Sequence, residues 1–229
     1  MFIIGGLQKT TLVDFPQKVA AIVFTQGCNF RCGYCHNPEL LSIKEQNDYN
    51  TEQFFEFLKT RQGKLDGVVI TGGEPTLQSG LYDFVRKIKD LGFAVKLDTN
   101  GTNPAILEKL LQNNLLDYIA MDIKAPVKKY SEITGVNIDT EKIKKSIQLI
   151  INSQIDYEFR TTVLKSQLSK EVFEKIGELI NGSKLYYLQK FVPSKIYDSS
   201  LLGETNYSDE ELENICRCLQ TYISEVKYR

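Results

Sequence analysis

The sequence predicts an α/β protein built as a partial, open (β/α)6 TIM-like barrel. Three observations carry this. Strand-like and helix-like segments alternate along most of the chain, which argues for parallel strands joined by right-handed helical crossovers. Six strands can be counted, two short of a complete eight-stranded barrel of typically about 250 residues. The 229-residue chain is also undivided: no Pro/Gly/Ser-rich linker, low-complexity stretch or solenoid repeat splits it.

Taken in order, residues 1–18 form an N-terminal extension, read as a hairpin, and residues 19–229 form the barrel domain with its C-terminal helix. Short β-rich runs are expected over 19–25, 67–71, 94–98, 118–122, 156–163 and 185–191. Helical patterns are expected over 51–60, 81–91, 104–113, 140–152 and 170–180. A last helix is expected over 208–224, with Ser208 as its N-cap and Asp209, Glu210 and Glu211 in the first turn, where acidic side chains meet the positive end of the helix dipole.

Parallel α/β folds place their sites at the carboxyl ends of the strands, and every unusual cluster falls there. The first strand leads into Cys28, Cys32 and Cys35, the second into Gly72-Gly73-Glu74-Pro75, and the third ends in Lys96-Leu97-Asp98-Thr99-Asn100-Gly101. The fourth ends in Met121-Asp122-Ile123-Lys124, the fifth carries Arg160-Thr161-Thr162, and the sixth carries Gln189-Lys190-Phe191. Three soft thiolates in one loop can grip a metal centre, but iron–sulfur cubanes usually take four. Three leave a coordination position open, the mark of a metal site that does chemistry. The alternative is a structural zinc site of Cys3His type using His36. It requires adjacent residues, Cys35 and His36, to reach one ion, and all its ligands to come from one loop. The two glycines let the backbone approach a ligand closely, or else form a tight strand-to-helix turn. Asp98 and Asp122 end neighbouring strands; two carboxylates at short range repel unless a cation lies between them. Cys216 and Cys218, two apart on the terminal helix, point about 200° apart and make a poor chelate. At least one is read as a small core residue.

Composition is that of an ordinary soluble protein, and the net charge of −1 gives no strong pull toward nucleic acid or an anionic membrane surface. No run of about 18 apolar residues predicts a membrane span, and the first residues lack the pattern of a signal peptide. Five cysteines form no disulfide framework, so a reducing compartment, the cytoplasm, is expected.

Cys-x3-Cys-x2-Cys with Tyr34 before the last cysteine resembles the radical S-adenosylmethionine (SAM) superfamily. The wider stretch from Gly6-Leu7-Gln8-Lys9 through Asp14-Phe15-Pro16 to Cys35-His36-Asn37-Pro38-Glu39-Leu40 resembles the activating proteins of anaerobic ribonucleotide reductases, relatives of the pyruvate formate-lyase activating enzyme. The resemblance implies a [4Fe-4S] cluster on Cys28, Cys32 and Cys35, with SAM on the open iron. It implies the same six-stranded barrel. It also implies contacts to SAM from Gly72, Gly73 and Glu74, with Tyr34 beside the adenine and His36 flanking the site. Asp98 and Asp122 would hold a monovalent cation against the SAM carboxylate, with Thr99 and Ile123 beside them and Lys124 and Arg160 balancing that carboxylate. The implied chemistry is reductive SAM cleavage to a 5′-deoxyadenosyl radical, which takes a hydrogen from a glycine Cα of a large partner enzyme. The implied partners are an anaerobic ribonucleotide reductase and a low-potential electron donor such as flavodoxin or ferredoxin. Activation of another glycyl radical enzyme such as pyruvate formate-lyase, small-molecule radical chemistry, and a non-catalytic zinc or iron–sulfur module are the alternatives. No cysteine lies between Cys35 and Cys216, so an inserted ferredoxin-like region is not expected.

Overall fold

The computed structural model of the chain describes residues 2–43 and 49–229. One eight-stranded sheet runs in chain order from β1 to β8. β1 (Ile4–Thr11) pairs antiparallel with β2 (Ala20–Thr25). From β2 onward, through β3 (Gly67–Gly72), β4 (Ala94–Thr99), β5 (Tyr118–Asp122), β6 (Asp156–Val163), β7 (Leu185–Lys190) and β8 (Glu225–Tyr228), every neighbouring pair is parallel. β1 and β8 are the two edges, so the sheet curves without closing. The crossovers carry α1 (Thr51–Lys59), α2 (Leu81–Asp90), α3 (Pro104–Gln112), α4 (Tyr130–Thr134), α5 (Thr140–Ile151), α6 (Lys170–Leu179) and α7 (Asp209–Leu219). No helix among the described residues is long and apolar enough to cross a membrane.

The six expected strands are all present. Two further strands were not expected as such. The extension over 1–18 contributes one strand, β1, and the second arm of its hairpin is β2 itself. At the other end the last helix stops at Leu219 rather than running to 224. The chain there turns back to the β7 edge, where Gly182 N donates to Tyr222 O (2.9 Å) and Ser224 N to Ser183 O (3.0 Å). Four residues, Glu225–Tyr228, then satisfy that edge as β8. Charged Glu225 and Lys227 hide so short a strand from a composition reading. Side-chain caps set several helix starts. Asn50, Asn103 and Asp139 accept from the first turns of α1, α3 and α5, and Ser208 and Glu211 form a reciprocal capping box on α7.

Period-two alternation sorts each strand onto two faces. Outward, Val68, Ile70, Val95, Leu97, Ile119 and Met121 join the main core with Phe84, Ile88, Leu107, Leu110, Ile147 and Ile150 of the helices. Inward and low in the lumen, Ala20, Ile22, Val69 and Tyr118 close around Phe15, which comes from the connection after β1. Higher on the inner face the residues become polar: Thr71, Asp98, Asp122, Arg160, Thr162 and Gln189. The lumen is thus sealed by an aromatic plug at one end and lined with charge at the other.

Candidate active site

A cavity of about 460 Å³ opens at the carboxyl ends of the strands. All three loop cysteines line it, together with Tyr34, His36, Gly72, Gly73, Glu74, Asp98, Thr99, Asp122, Lys124 and Arg160. Of the residues expected at the site, only Ile123 stands apart. Its side chain is fully buried in the helix-facing core, and its carbonyl accepts from Thr161 Oγ1 (2.6 Å). Alternation explains this: Asp122 and Lys124 face the lumen, so Ile123 faces outward.

The cysteine loop is held from several sides. Gly27 N donates to Leu40 O (2.8 Å), Cys28 N to Leu41 O (3.1 Å) and Arg31 N to Thr134 O (2.8 Å). The Arg31 guanidinium folds back onto Cys28 O and Phe30 O (both 2.7 Å). The segment after β7 straps the loop as well, with Tyr197 N on Cys35 O (3.0 Å) and Asp198 N on Gly33 O (2.9 Å). Burial pushes the Cys28 thiol up to about 12, and burial likewise raises Cys32, against the pull of Lys124. Such thiols stay protonated until a metal displaces the proton. Among the described residues, no three His, Cys, Asp or Glu side chains converge as they would on one ion. A zinc ion draws its thiolates to about 2.3 Å. The three thiols line one cavity, one short of the four that an iron–sulfur cubane usually takes.

The glycines of the Gly-Gly-Glu-Pro turn are packed against protein backbone. A Cβ on Gly72, whose φ is +110°, would lie 2.3 Å from Thr25 N, and one on Gly73 would lie 2.3 Å from Gly27 O. Both glycines are required because two backbones meet there. The Gly73 and Glu74 amides are bonded to Thr25 O and Gly27 O (2.8 Å each). The turn therefore offers a ligand carbonyl oxygen rather than N–H, which suits an amino-group donor. The Glu74 carboxylate, only 1 % exposed, is engaged within the protein. It accepts from Thr76 N (3.0 Å) and Thr76 Oγ1 (2.5 Å), from Thr99 Oγ1 (2.7 Å) and from Asn100 N (2.7 Å). Glu74 thus caps the turn after β3 and ties it to the end of β4. Burial raises its pKa, and these hydrogen bonds offset part of that rise.

A charge cluster forms the opposite wall. Asp98 Oδ1 meets Lys96 Nζ (2.5 Å) and Asp98 Oδ2 meets Arg160 Nη2 (3.1 Å). Asp122 Oδ1 meets Arg160 Nε (2.5 Å) and Asp122 Oδ2 meets Lys124 Nζ (3.0 Å). Register places Arg160 beside Asp122. Asp98 lies beside Ala120, whose methyl leaves room for the guanidinium to reach across β5. Burial alone would raise both aspartates. The adjacent cations outweigh it and hold both below the usual carboxylate range. The third guanidinium nitrogen faces buried Glu158 (3.9 Å), itself paired with Arg229 (2.9 Å). Arg160 is therefore consumed by protein carboxylates. Lys124, with one such bond and its ammonium 5.7 Å from the Tyr34 ring centroid, is the cation positioned for a ligand anion.

Tyr34 is buried, and its hydroxyl meets no hydrogen-bond partner among the described residues. An orphaned phenol on a cavity wall awaits a polar ligand. His36 sits exposed at the rim, stacked on Phe191 (6.0 Å between centroids) with Nδ1 3.4 Å from Ser194 Oγ. Sequence reasoning missed the role of Lys96, buried beneath the aspartates, and the link Asn29–Asn100–Thr102 that ties the cysteine loop to the end of β4 (2.9, 2.7 and 3.0 Å). Cys216 is buried in the main core and Cys218 is exposed on α7; neither lines the cavity.

Residues 22–180 match the family description of the radical SAM superfamily. The chain belongs to the radical SAM superfamily. Within it, the chain is 34% identical over 235 residues to a protein of Methanocaldococcus jannaschii named as a glycyl-radical enzyme activating enzyme, spanning 99% of this chain and 95% of that relative. It therefore belongs to the glycyl-radical-activating enzymes. A pyruvate formate-lyase-activating enzyme of Clostridium pasteurianum is 32% identical over 126 residues, about half of either chain (53% and 52%). Among solved structures, Streptococcus suis SuiB bound to its precursor peptide SuiA superposes with a TM-score of 0.70 at 14% identity. That superposition covers 91% of this chain and 48% of SuiB, and it shows the fold. Radical SAM membership implies a [4Fe-4S] cluster and SAM. The cavity fits both, with three thiols on one loop, the orphaned Tyr34 hydroxyl and Lys124 aimed at an anion.

Proposed function

We propose that this radical SAM enzyme installs a glycyl radical on an anaerobic ribonucleotide reductase. The observation that carries the chemistry is the single cavity that brings Cys28, Cys32 and Cys35 face to face with the Gly72–Glu74 turn and Lys124. When bound, the cluster and SAM supply a one-electron cleavage of the sulfonium that yields a hydrogen-abstracting radical. The chain's own residues bind and orient. Cys28, Cys32 and Cys35 would hold the cluster, one thiolate short of a full set. The carbonyl side of the Gly72–Glu74 turn would accept from the amino group, and Lys124 would pair with the carboxylate. Tyr34 packs its ring and offers its hydroxyl beside the adenosyl end.

The gap between the β1 and β8 edges supports a protein substrate, because a peptide loop can enter an unclosed lumen from the side. The choice of reductase over other glycyl radical enzymes rests on the stretch from Gly6 to Leu41 and the absence of cysteines between Cys35 and Cys216. The cytoplasm is the proposed location, and flavodoxin or ferredoxin the proposed class of electron donor. Reduced, SAM-loaded protein mixed with each candidate partner should give a glycyl doublet in the electron paramagnetic resonance spectrum with the reductase. A doublet on pyruvate formate-lyase and none on the reductase would sink the assignment of partner. Loss of SAM cleavage in Cys32→Ala, with wild-type activity intact, tests the cluster ligands separately.

A further inference from the structure

We infer that Arg160 is the built-in counter-cation of the Asp98–Asp122 pair, so that this cavity takes SAM without a free monovalent metal ion. The resemblance implied such an ion, and the repulsion between two carboxylates at neighbouring strand ends gave it a physical reason. The structure answers that repulsion with side chains. All four carboxylate oxygens already face a cationic nitrogen. Asp98 is held by Lys96 and Arg160 at 2.5 and 3.1 Å, and Asp122 by Arg160 and Lys124 at 2.5 and 3.0 Å. One guanidinium bridges the two acids through separate nitrogens, the place a shared metal ion would take. Glu158 adds a third anion, and Arg229 pairs with it, so each acid of this cluster is matched by a cationic side chain. A sodium or potassium ion entering there would displace a buried arginine and sit among ammonium and guanidinium groups, which repel it. Lys124, with a single carboxylate partner, faces the cavity where a ligand carboxylate would meet it.

The inference rests on the SAM reading of the cavity, and one measurement separates the two. Reconstituted protein is titrated anaerobically with SAM by calorimetry in potassium, sodium and tetramethylammonium chloride at equal ionic strength. A Kd that stays within threefold across the three salts is expected. A larger loss in tetramethylammonium, restored by potassium or sodium, overturns the inference and leaves the SAM reading standing. No binding in any salt removes the SAM reading, and this inference with it. Arg160→Gln is the second arm, with Arg160→Met, read by the same criteria, in reserve should the first fail to fold. Removing the guanidinium should weaken binding at least tenfold in tetramethylammonium, and potassium should recover part of that loss. Salt-independent binding by Arg160→Gln, as tight as wild type, would show that the arginine is not the counter-charge and overturn the inference.

Discussion

Asp122 shows how a buried charge is made tolerable. Its oxygens are divided between Arg160 and Lys124, so neither cation is left bare in the lumen wall. Removing one partner of such a group typically costs about 3–5 kcal/mol, because the remaining charges are stranded. Asp122→Asn should therefore destabilise the apoprotein by about 3 kcal/mol at pH 7, read by urea denaturation. The sign of its pH dependence follows from its lowered pKa. An acid whose folded pKa lies below its unfolded value of about 3.9 stabilises the fold above that value and loses the effect as pH falls toward the folded one. The gap between wild type and Asp122→Asn should stay constant from pH 7 to about 5 and shrink below about 4. A gap that widens in acid would contradict the pairing. Gly73 carries a second prediction. Its missing Cβ is space taken by Gly27 O at 2.3 Å and Leu40 O at 3.1 Å, both flanking the cysteine loop. Gly73→Ala should cost about 1–3 kcal/mol and lower the iron bound on reconstitution, whereas Gly203→Ala, with nothing within 4 Å, should be near neutral.

At the scale of elements, strand and helix order was legible because each crossover announces itself locally through apolar runs and capping residues such as Ser208. The cysteine loop was legible because its three cysteines fall within one short stretch of sequence. What was hidden depends on register. Nothing in the strings around Asp98, Asp122 and Arg160 says that β4, β5 and β6 align so that one guanidinium reaches both acids, and the expectation for that pair did not include the arginine between them. The close approach of the glycine pair to the Thr25 and Gly27 backbone was hidden for a related reason, since it depends on how β2 and β3 lie side by side. Phe15 is a third case. It lies in a connection with no periodic pattern, yet it plugs the lower lumen and is 2% exposed against Ala20, Ile22, Val69 and Tyr118. Phe15→Ala should cost about 3–5 kcal/mol, read as a lowered urea midpoint with unchanged slope. A change below about 1 kcal/mol would mean the plug is dispensable.

Across the whole molecule, the sheet is open along one side, and the chain spends part of its surface at the mouth on exposed apolar groups. The strap between β7 and α7 lies over the cysteine loop by two backbone bonds, yet presents Val192 (59% exposed), Tyr197 (51%) and Leu202 (47%) outward. Exposed apolar side chains beside an active cavity are more informative than the same groups scattered over a surface. The proposed substrate is a protein, and the shared radical chemistry does not choose among partners, so recognition has to come from surfaces of this kind. Leu202 and Val192 can be changed without touching the hydrogen bonds that Tyr197 and Asp198 make to the loop. The double variant Val192→Glu, Leu202→Glu should keep the circular dichroism spectrum, the iron content and the rate of SAM cleavage in the absence of partner. With partner present, the partner concentration giving half-maximal glycyl radical should rise at least fivefold. An unchanged partner titration would place recognition elsewhere on the rim, with the exposed Leu12–Val13 turn after β1 the next surface to test. A parallel loss of partner-free SAM cleavage would instead mean that the strap supports the cysteine loop rather than the docked enzyme.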